Sequence, residues 1–204
     1  MGADVACGGN HQHAASLLTQ GIVSSDLGHY TQAITLFGEA MNALHSPVPH
    51  NGAALAVPEC SVEHDRLSAR ILLSLSYPTH EMGQVGESIR LLVQAERLAD
   101  RRSLGQLTVI TRAQHGLLLL HEGRVLDAIQ QLDGAVQLLN DAEPSDQCKI
   151  LINRGEAHDQ LGHIQSAISD FSRAFALSRR HGLAELEFAA RHNLGFRAKH
   201  DQLS

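Results

Sequence analysis

The sequence predicts an all-α fold, a solenoid built from helical hairpins. Three observations carry this. The same spaced residues recur four times with a period near 40. Apolar residues within each copy follow helical spacing. Aromatic residues are only 3% of the 204 residues, with no Trp, which argues against a β-sandwich.

The repeat is defined by an anchor and four offsets. The first copy has Gly21, Gly28, Ala33, Phe37 and Ala40. The second has Ser76, Gly83, Ser88, Leu92 and Ala95. The third has Gly116, Gly123, Ala128, Leu132 and Ala135. The fourth has Gly155, Gly162, Ala167, Phe171 and Ala174. A fifth copy begins at Leu194-Gly195 and stops. The anchors lie 55, 40, 39 and 40 residues apart, as stacked like units require.

Each copy reads as two helices. Ile34, Phe37, Met41 and Leu44 share one helical face, as do Ile129, Leu132, Val136 and Leu139. The glycine seven after the anchor marks the turn, because a left-handed C-cap costs glycine little. Small residues at the anchor and twelve later let helices approach. The large residue at sixteen fills the gap between hairpins. Pro47, Pro49, Pro58 and Pro144 lie between units, where helices end. The expected organisation is an unstructured leader over 1–12, then an array over 13–204. Its units are about 14–45, 64–101, 104–141 and 146–181, with a partial unit over 184–204. A Pro-rich insert spans 45–62 and reads as a mobile loop. Pro78 predicts that its helix stops near Ser76 and that Tyr77 to Met82 form an irregular turn.

Composition bounds the function. Sixteen Lys and Arg against 22 Asp and Glu leave a net charge of −6, which argues against a general nucleic-acid binder. The run Leu117-Leu118-Leu119-Leu120 is far short of the roughly 20 apolar residues a bilayer span needs. Met1 to His13 has no Lys or Arg and does not read as a secretory signal. Cys7, Cys60 and Cys148 form no C-x-x-C pair, so a reducing cytoplasm is expected.

Candidate chemistry is sparse among the 14 histidines. His11-x-His13 with Cys7 offers donors for a metal, but on a leader that does not hold them in place, so no metal and no cofactor are expected. His158 and His163 flank a turn, and His115 sits at a core position. His181-Gly182 and Cys148 do not compose a nucleophilic site, because no oxyanion motif accompanies them. No phosphate-binding G-x-x-x-x-G-K-[S/T] loop is present. Arg101-Arg102 and Arg179-Arg180 sit where cations complement a helix dipole. The chain reads as non-catalytic.

The pattern of anchor, turn glycine, small residue and Phe or Leu four later resembles the tetratricopeptide repeat family over about 14–200. The period here exceeds the family's 34. The resemblance implies a right-handed superhelix whose first helices line a concave groove. The positions two before each anchor then face that groove: Thr19, Ser74, Gln114, Asn153 and Asn193. All are polar and uncharged, and amides there can bind an extended peptide backbone. Neighbouring groove positions are Arg70, Leu73, Tyr77, Leu117, His121, Glu156, Asp159, His192, Phe196 and Lys199. The phrase Ala190-Arg191-His192-Asn193-Leu194-Gly195-Phe196 also resembles repeats N-terminal to caspase-like CHAT peptidase domains of actinobacterial proteins. The expected function is a protein–protein scaffold or adaptor that takes a partner peptide or helix in the groove, with no nucleic acid and no membrane. An alternative is the sensor arm of a CHAT-type peptidase or ATPase system, acting in trans or as a truncated gene product. A third is self-association through the C-terminal hairpin, driven by exposed Leu194 and Phe196. The stretch Glu185 to Leu203 is expected to cap the stack.

Overall fold

The structure, a computed structural model, describes residues 2–46 and 62–200, with side chains over 10–46 and 62–195. The described residues form α1 (Gly2–Asp26), α2 (Tyr30–His45), α3 (Val62–Glu81), α4 (Val85–Arg101) and α5 (Gly105–His121). Then follow α6 (Val125–Gln137), a 3-10 turn (Leu139–Asp141), α7 (Pro144–Gln160), α8 (Ile164–His181) and α9 (Ala184–His200). No strand occurs among them. None of the described helices is long and apolar enough to cross a membrane.

The turns form where the glycines predict. Gly28, Gly83, Gly123 and Gly162 all have φ between 72° and 79°. Each turn closes in the same way. The amide of Gly28 donates to Ser25 O at 2.9 Å, and that of His29 to Ser24 O at 2.8 Å. Gly162 and His163 repeat this with Asp159 and His158, each at 2.9 Å. These bonds satisfy the last carbonyls of the first helix. Gly182 does the same after α8, and Ser103 after α4 takes the left-handed conformation without being glycine (φ 54°).

The chain divides into two compact units, residues 1–107 and 108–204. In the first, α1 packs on α2, α2 on α3 and α3 on α4. Its core gathers Leu18, Phe37, Leu44, Leu67 and Ile71, with a second cluster of Leu72, Leu91 and Ala95. In the second, α6 packs on α7, α7 on α8 and α8 on α9. Its core holds Val109, Leu139, Ile150, Leu151, Phe171 and Ala190.

The anchors explain the tight hairpins. A Cβ added to Gly155 would stand 2.5 Å from Phe171 Cε1, and one added to Gly116 2.6 Å from Leu132 Cγ. The large residue at sixteen therefore packs first against the anchor of its own hairpin, rather than only between hairpins. In the second copy, serine replaces both small residues. Ser88 Oγ donates to Ser76 O at 2.7 Å in a buried setting, so the added hydroxyl is satisfied.

Three expectations meet a different outcome. The helix does not stop at Ser76: α3 runs on to Glu81 with Pro78 inside it. Proline removes the amide that would bond Ser74 O. Around that gap, Ser76 Oγ donates to Leu73 O at 2.6 Å and Thr79 Oγ1 to Leu75 O at 2.7 Å. Pro78 and Thr79 are buried, so packing holds the turn that proline would otherwise break. Second, α1 is helical from Gly2, through the segment expected as a leader. Third, Leu194 is not exposed: it packs against the core of the second unit. The insert over 45–62 lies outside the described residues except for His45, Ser46 and Val62.

Candidate functional site

Helical phase places each expected groove residue on a first helix. In the first unit, Thr19 on α1 is exposed, and its hydroxyl donates to Ala15 O at 2.9 Å. Ser74 on α3 is half-buried and Arg70 is exposed. Tyr77 is 41% exposed and meets Tyr30 edge-on, with ring centroids 6.0 Å apart. Its hydrogen bond to Tyr30 is the main cause that raises its pKa above 10.0, and burial adds to it. Tyr77 remains a neutral phenol at physiological pH.

In the second unit, Gln114 and Leu117 on α5 are half-buried, and His121 is exposed. Asn153 on α7 is half-buried, and Glu156 is exposed one turn on. Asn193 on α9 is half-buried, and its Nδ2 donates to Glu156 Oε1 at 3.3 Å. The fold thus brings two expected residues into contact across 37 positions. Phe196 and Lys199 lie on α9 beyond the described side chains.

The strongest electrostatic feature of this unit was not among the expected sites. Arg154 donates from Nε to Asp170 Oδ2 and from Nη2 to Asp170 Oδ1, both at 2.7 Å. Its Nη1 donates to Asp133 Oδ1 at 2.8 Å. Asp170 is buried, and these bonds tie α6, α7 and α8 together. The bonds to Asp170 raise the guanidinium pKa, against the opposing effect of burial. The only sequence signal is a charged residue, Asp170, one position before an apolar anchor-filler, Phe171. His158 sits beside this cluster with its ring centroid 5.8 Å from that of His163. Burial lowers the pKa of His158, outweighing the pull of Asp170.

The other candidates resolve as packing. His115 is buried in α5. Cys148 is 0% exposed, its Sγ lies 3.7 Å from Ala174 O, and burial raises its pKa. A thiol kept protonated and covered is a poor nucleophile. Among the described residues no group of three His, Cys, Asp or Glu is placed to hold a metal. Cys7 lies outside the described side chains. Arg101 and the pair Arg179-Arg180 end α4 and α8, as dipole complementarity expects. Arg102 has a further role: its Nε bonds the buried Asp65 at 2.5 Å, joining the end of α4 to the start of α3.

No family model matches the chain. No curated protein matches it either. Solved structures do match. A signal transduction ATPase with numerous domains and a tetratricopeptide repeat sensor, from Pyrococcus horikoshii, aligns over 93% of the chain with a TM-score of 0.75 and 14% identity. Aspartyl phosphate phosphatase F from Bacillus subtilis aligns over 91% with a TM-score of 0.72 and 16% identity. The Rap conjugation gene regulator of the plasmid pLS20, solved with the Phr* peptide, aligns over 91% with a TM-score of 0.59 and 18% identity. The chain spans 27%, 46% and 53% of these proteins' lengths. The shared feature is the fold, antiparallel helix pairs of the tetratricopeptide-repeat solenoid type.

Proposed function

With the tetratricopeptide-repeat fold as premise, we propose that the chain is a non-catalytic scaffold whose first helices bind an extended peptide or helix of a protein partner. The observation that carries this is the register of Gln114, Asn153 and Asn193. Each stands two residues before an anchor glycine on α5, α7 and α9 of one compact unit. Each is half-buried, polar and uncharged. An amide donates and accepts at once, which suits a peptide backbone. The bond from Asn193 to Glu156 holds that amide in place before a partner arrives. Leu117 beside them supplies apolar contact, and Glu156 favours a partner with a cationic side chain nearby. In the first unit, Ser74 and Tyr77 occupy the corresponding positions of α3, with Arg70 one turn before Ser74. The Rap regulator solved with its Phr* peptide is a protein of this fold that holds a peptide, and it lends support to the reading.

The test is selection of ligands from a random peptide library, followed by titration against Asn153→Ala/Asn193→Ala. Binding is expected to weaken by at least about tenfold. The melting temperature is expected to move by less than about 2 °C. Unchanged affinity in the double variant overturns the groove reading.

A second reading treats the chain as the sensor arm of an ATPase or CHAT-type peptidase system. The likeness of 93% of the chain to a protein that couples such repeats to an ATPase favours it. It predicts that the chain changes the turnover rate of an ATPase or peptidase encoded beside it. An unaltered rate at saturating chain refutes it.

A further inference from the structure

The two hairpins of the first unit present the same kind of residue pair at their turns, an acid followed by a large apolar residue. Asp26-Leu27 and Glu81-Met82 stand five and six places after their anchors, Gly21 and Ser76. The second unit has His121-Glu122 and Gln160-Leu161 there. Leu27 is 66% exposed and Met82 49%. Tyr77 is exposed as well, and meets Tyr30 at the start of α2 edge-on. Since α3 packs on both α2 and α4, Tyr77 and Met82 stay open with both neighbouring helices in place. Met82 forms one side of a cavity of about 310 Å³, whose other walls are Gly28, His29, Tyr30, Thr31 and Gln32. The turn of the first hairpin and the end of α3 thus share one cleft.

The formal charge of this part of the chain has one sign. No Lys or Arg precedes Arg66, whereas Asp4, Asp26, Glu39, Glu59, Glu63 and Asp65 do. Residues 66–204 hold sixteen charges of each sign, so the whole net charge of −6 belongs to the first 65 residues. Asp26 lies two residues before Gly28 of the cleft, and Glu81 lies next to Met82. The Tyr77 pKa is raised first by the bond to Tyr30, then by burial and then by the carboxylate of Glu81, which places that charge near the phenol. His80 Nδ1 lies 3.5 Å from Glu81 Oε1 and is a cation only when protonated. Back along α3 the first guanidinium is that of Arg70, eleven residues from Glu81, or about 16 Å along the helix. Forward in the chain the first is that of Arg90, which is paired with Glu87. A Lys or Arg side chain is attracted here by two features at once, the carboxylates and the exposed tyrosine ring.

We propose that Asp26, Tyr77, Glu81 and Met82 form a docking surface for an extended basic segment of a protein partner, one in which Lys or Arg is interspersed with apolar residues. The cation meets Glu81 and the Tyr77 ring, and its apolar neighbour enters the cleft beside Met82. A second such pair meets Asp26 and Leu27. The inference rests on the scaffold reading above in taking a peptide as the ligand. It adds the charge of that peptide and a place on the first unit, in residues distinct from Asn153 and Asn193.

The probe is a labelled peptide of repeated Lys-Gly-Leu-Gly, in which Lys and Leu share one side of an extended chain. It is titrated into the full chain by fluorescence anisotropy. Saturable binding is expected, and added salt is expected to weaken it. Peptides of repeated Glu-Gly-Leu-Gly and repeated Lys-Gly-Ser-Gly are each expected to bind at least about tenfold more weakly. The chain variants Asp26→Asn/Glu81→Gln and, separately, Met82→Lys are expected to lose at least about tenfold in affinity for the probe. Both change exposed side chains, and unchanged ellipticity and melting temperature confirm that the fold is kept. Asn153→Ala/Asn193→Ala and Glu156→Gln are expected to bind the probe as the wild type does, so failure of the amide ladder and failure of this surface are read separately. Absent saturable binding, equal binding of the Glu-Gly-Leu-Gly peptide, or full binding by either first-unit variant overturns the proposal. Loss of the probe in Asn153→Ala/Asn193→Ala or in Glu156→Gln assigns the basic peptide to the second unit and overturns it as well.

Discussion

Arg154 shows what one side chain does for the second unit. Its guanidinium meets a buried carboxylate in two parallel bonds and a second carboxylate in a third. Removing it leaves Asp170 buried, with Arg173 at 3.6 Å as a weaker cationic neighbour. Arg154→Leu is expected to cost about 3–5 kcal/mol in urea unfolding. Arg154→Leu combined with Asp170→Leu is expected to recover most of that, because the uncompensated charge is gone. His158 beside the cluster makes stability depend on pH. Its folded pKa lies below the ordinary 6.5, chiefly through burial. The unfolded chain therefore takes up the proton more readily. The stabilising contribution is complete above that ordinary value and is lost as pH falls through the folded pKa. The urea midpoint is expected to fall as the pH is lowered through and below 6.5, and that of His158→Gln to fall less steeply.

At the scale of the helix pair, glycine has two opposite meanings in one chain. Gly155 lies against Phe171, so Gly155→Ala forces the ring to move and is expected to destabilise by about 1–3 kcal/mol. Gly195 faces open space, so Gly195→Ala is expected to stabilise by up to about 1 kcal/mol, through helix propensity alone. Thermal melts of the two variants side by side check both signs. The helix pairs were legible in the sequence because turn glycines and apolar spacing are local signals. Pro78 was not legible in the same way. Its penalty is local, but Pro78 and Thr79 are buried, and burial is set by packing that the local pattern does not show. Leu194 failed for a related reason: an apolar residue near a chain end reads as exposed until its neighbours are placed.

For the whole molecule, the division into two compact units with separate cores sets how damage spreads. In stacked hairpins each pair depends mainly on its neighbours. Gly155→Ala is therefore expected to lower amide protection in α7, α8 and α9 while α1 and α2 keep theirs. Hydrogen exchange read by mass spectrometry checks this, and uniform loss over all helices contradicts it. The amide ladder belongs to this scale as well. Its expected register came from the period together with what the family resemblance implies, whereas the contact between Asn193 and Glu156 needed α7 and α9 to be placed together.

The sequence by itself determined the helical class, the period near 40 and the turns at Gly28, Gly83, Gly123 and Gly162. All of these follow from backbone conformation and from spacing along one or two helices. Only the tertiary structure decided which faces are covered. It kept α3 whole through Pro78, paired Arg154 with two carboxylates, and left Tyr77 and Met82 open at the end of α3. Burial and ion pairing depend on which atoms of other helices arrive at a site, and no local pattern in the chain encodes that arrival.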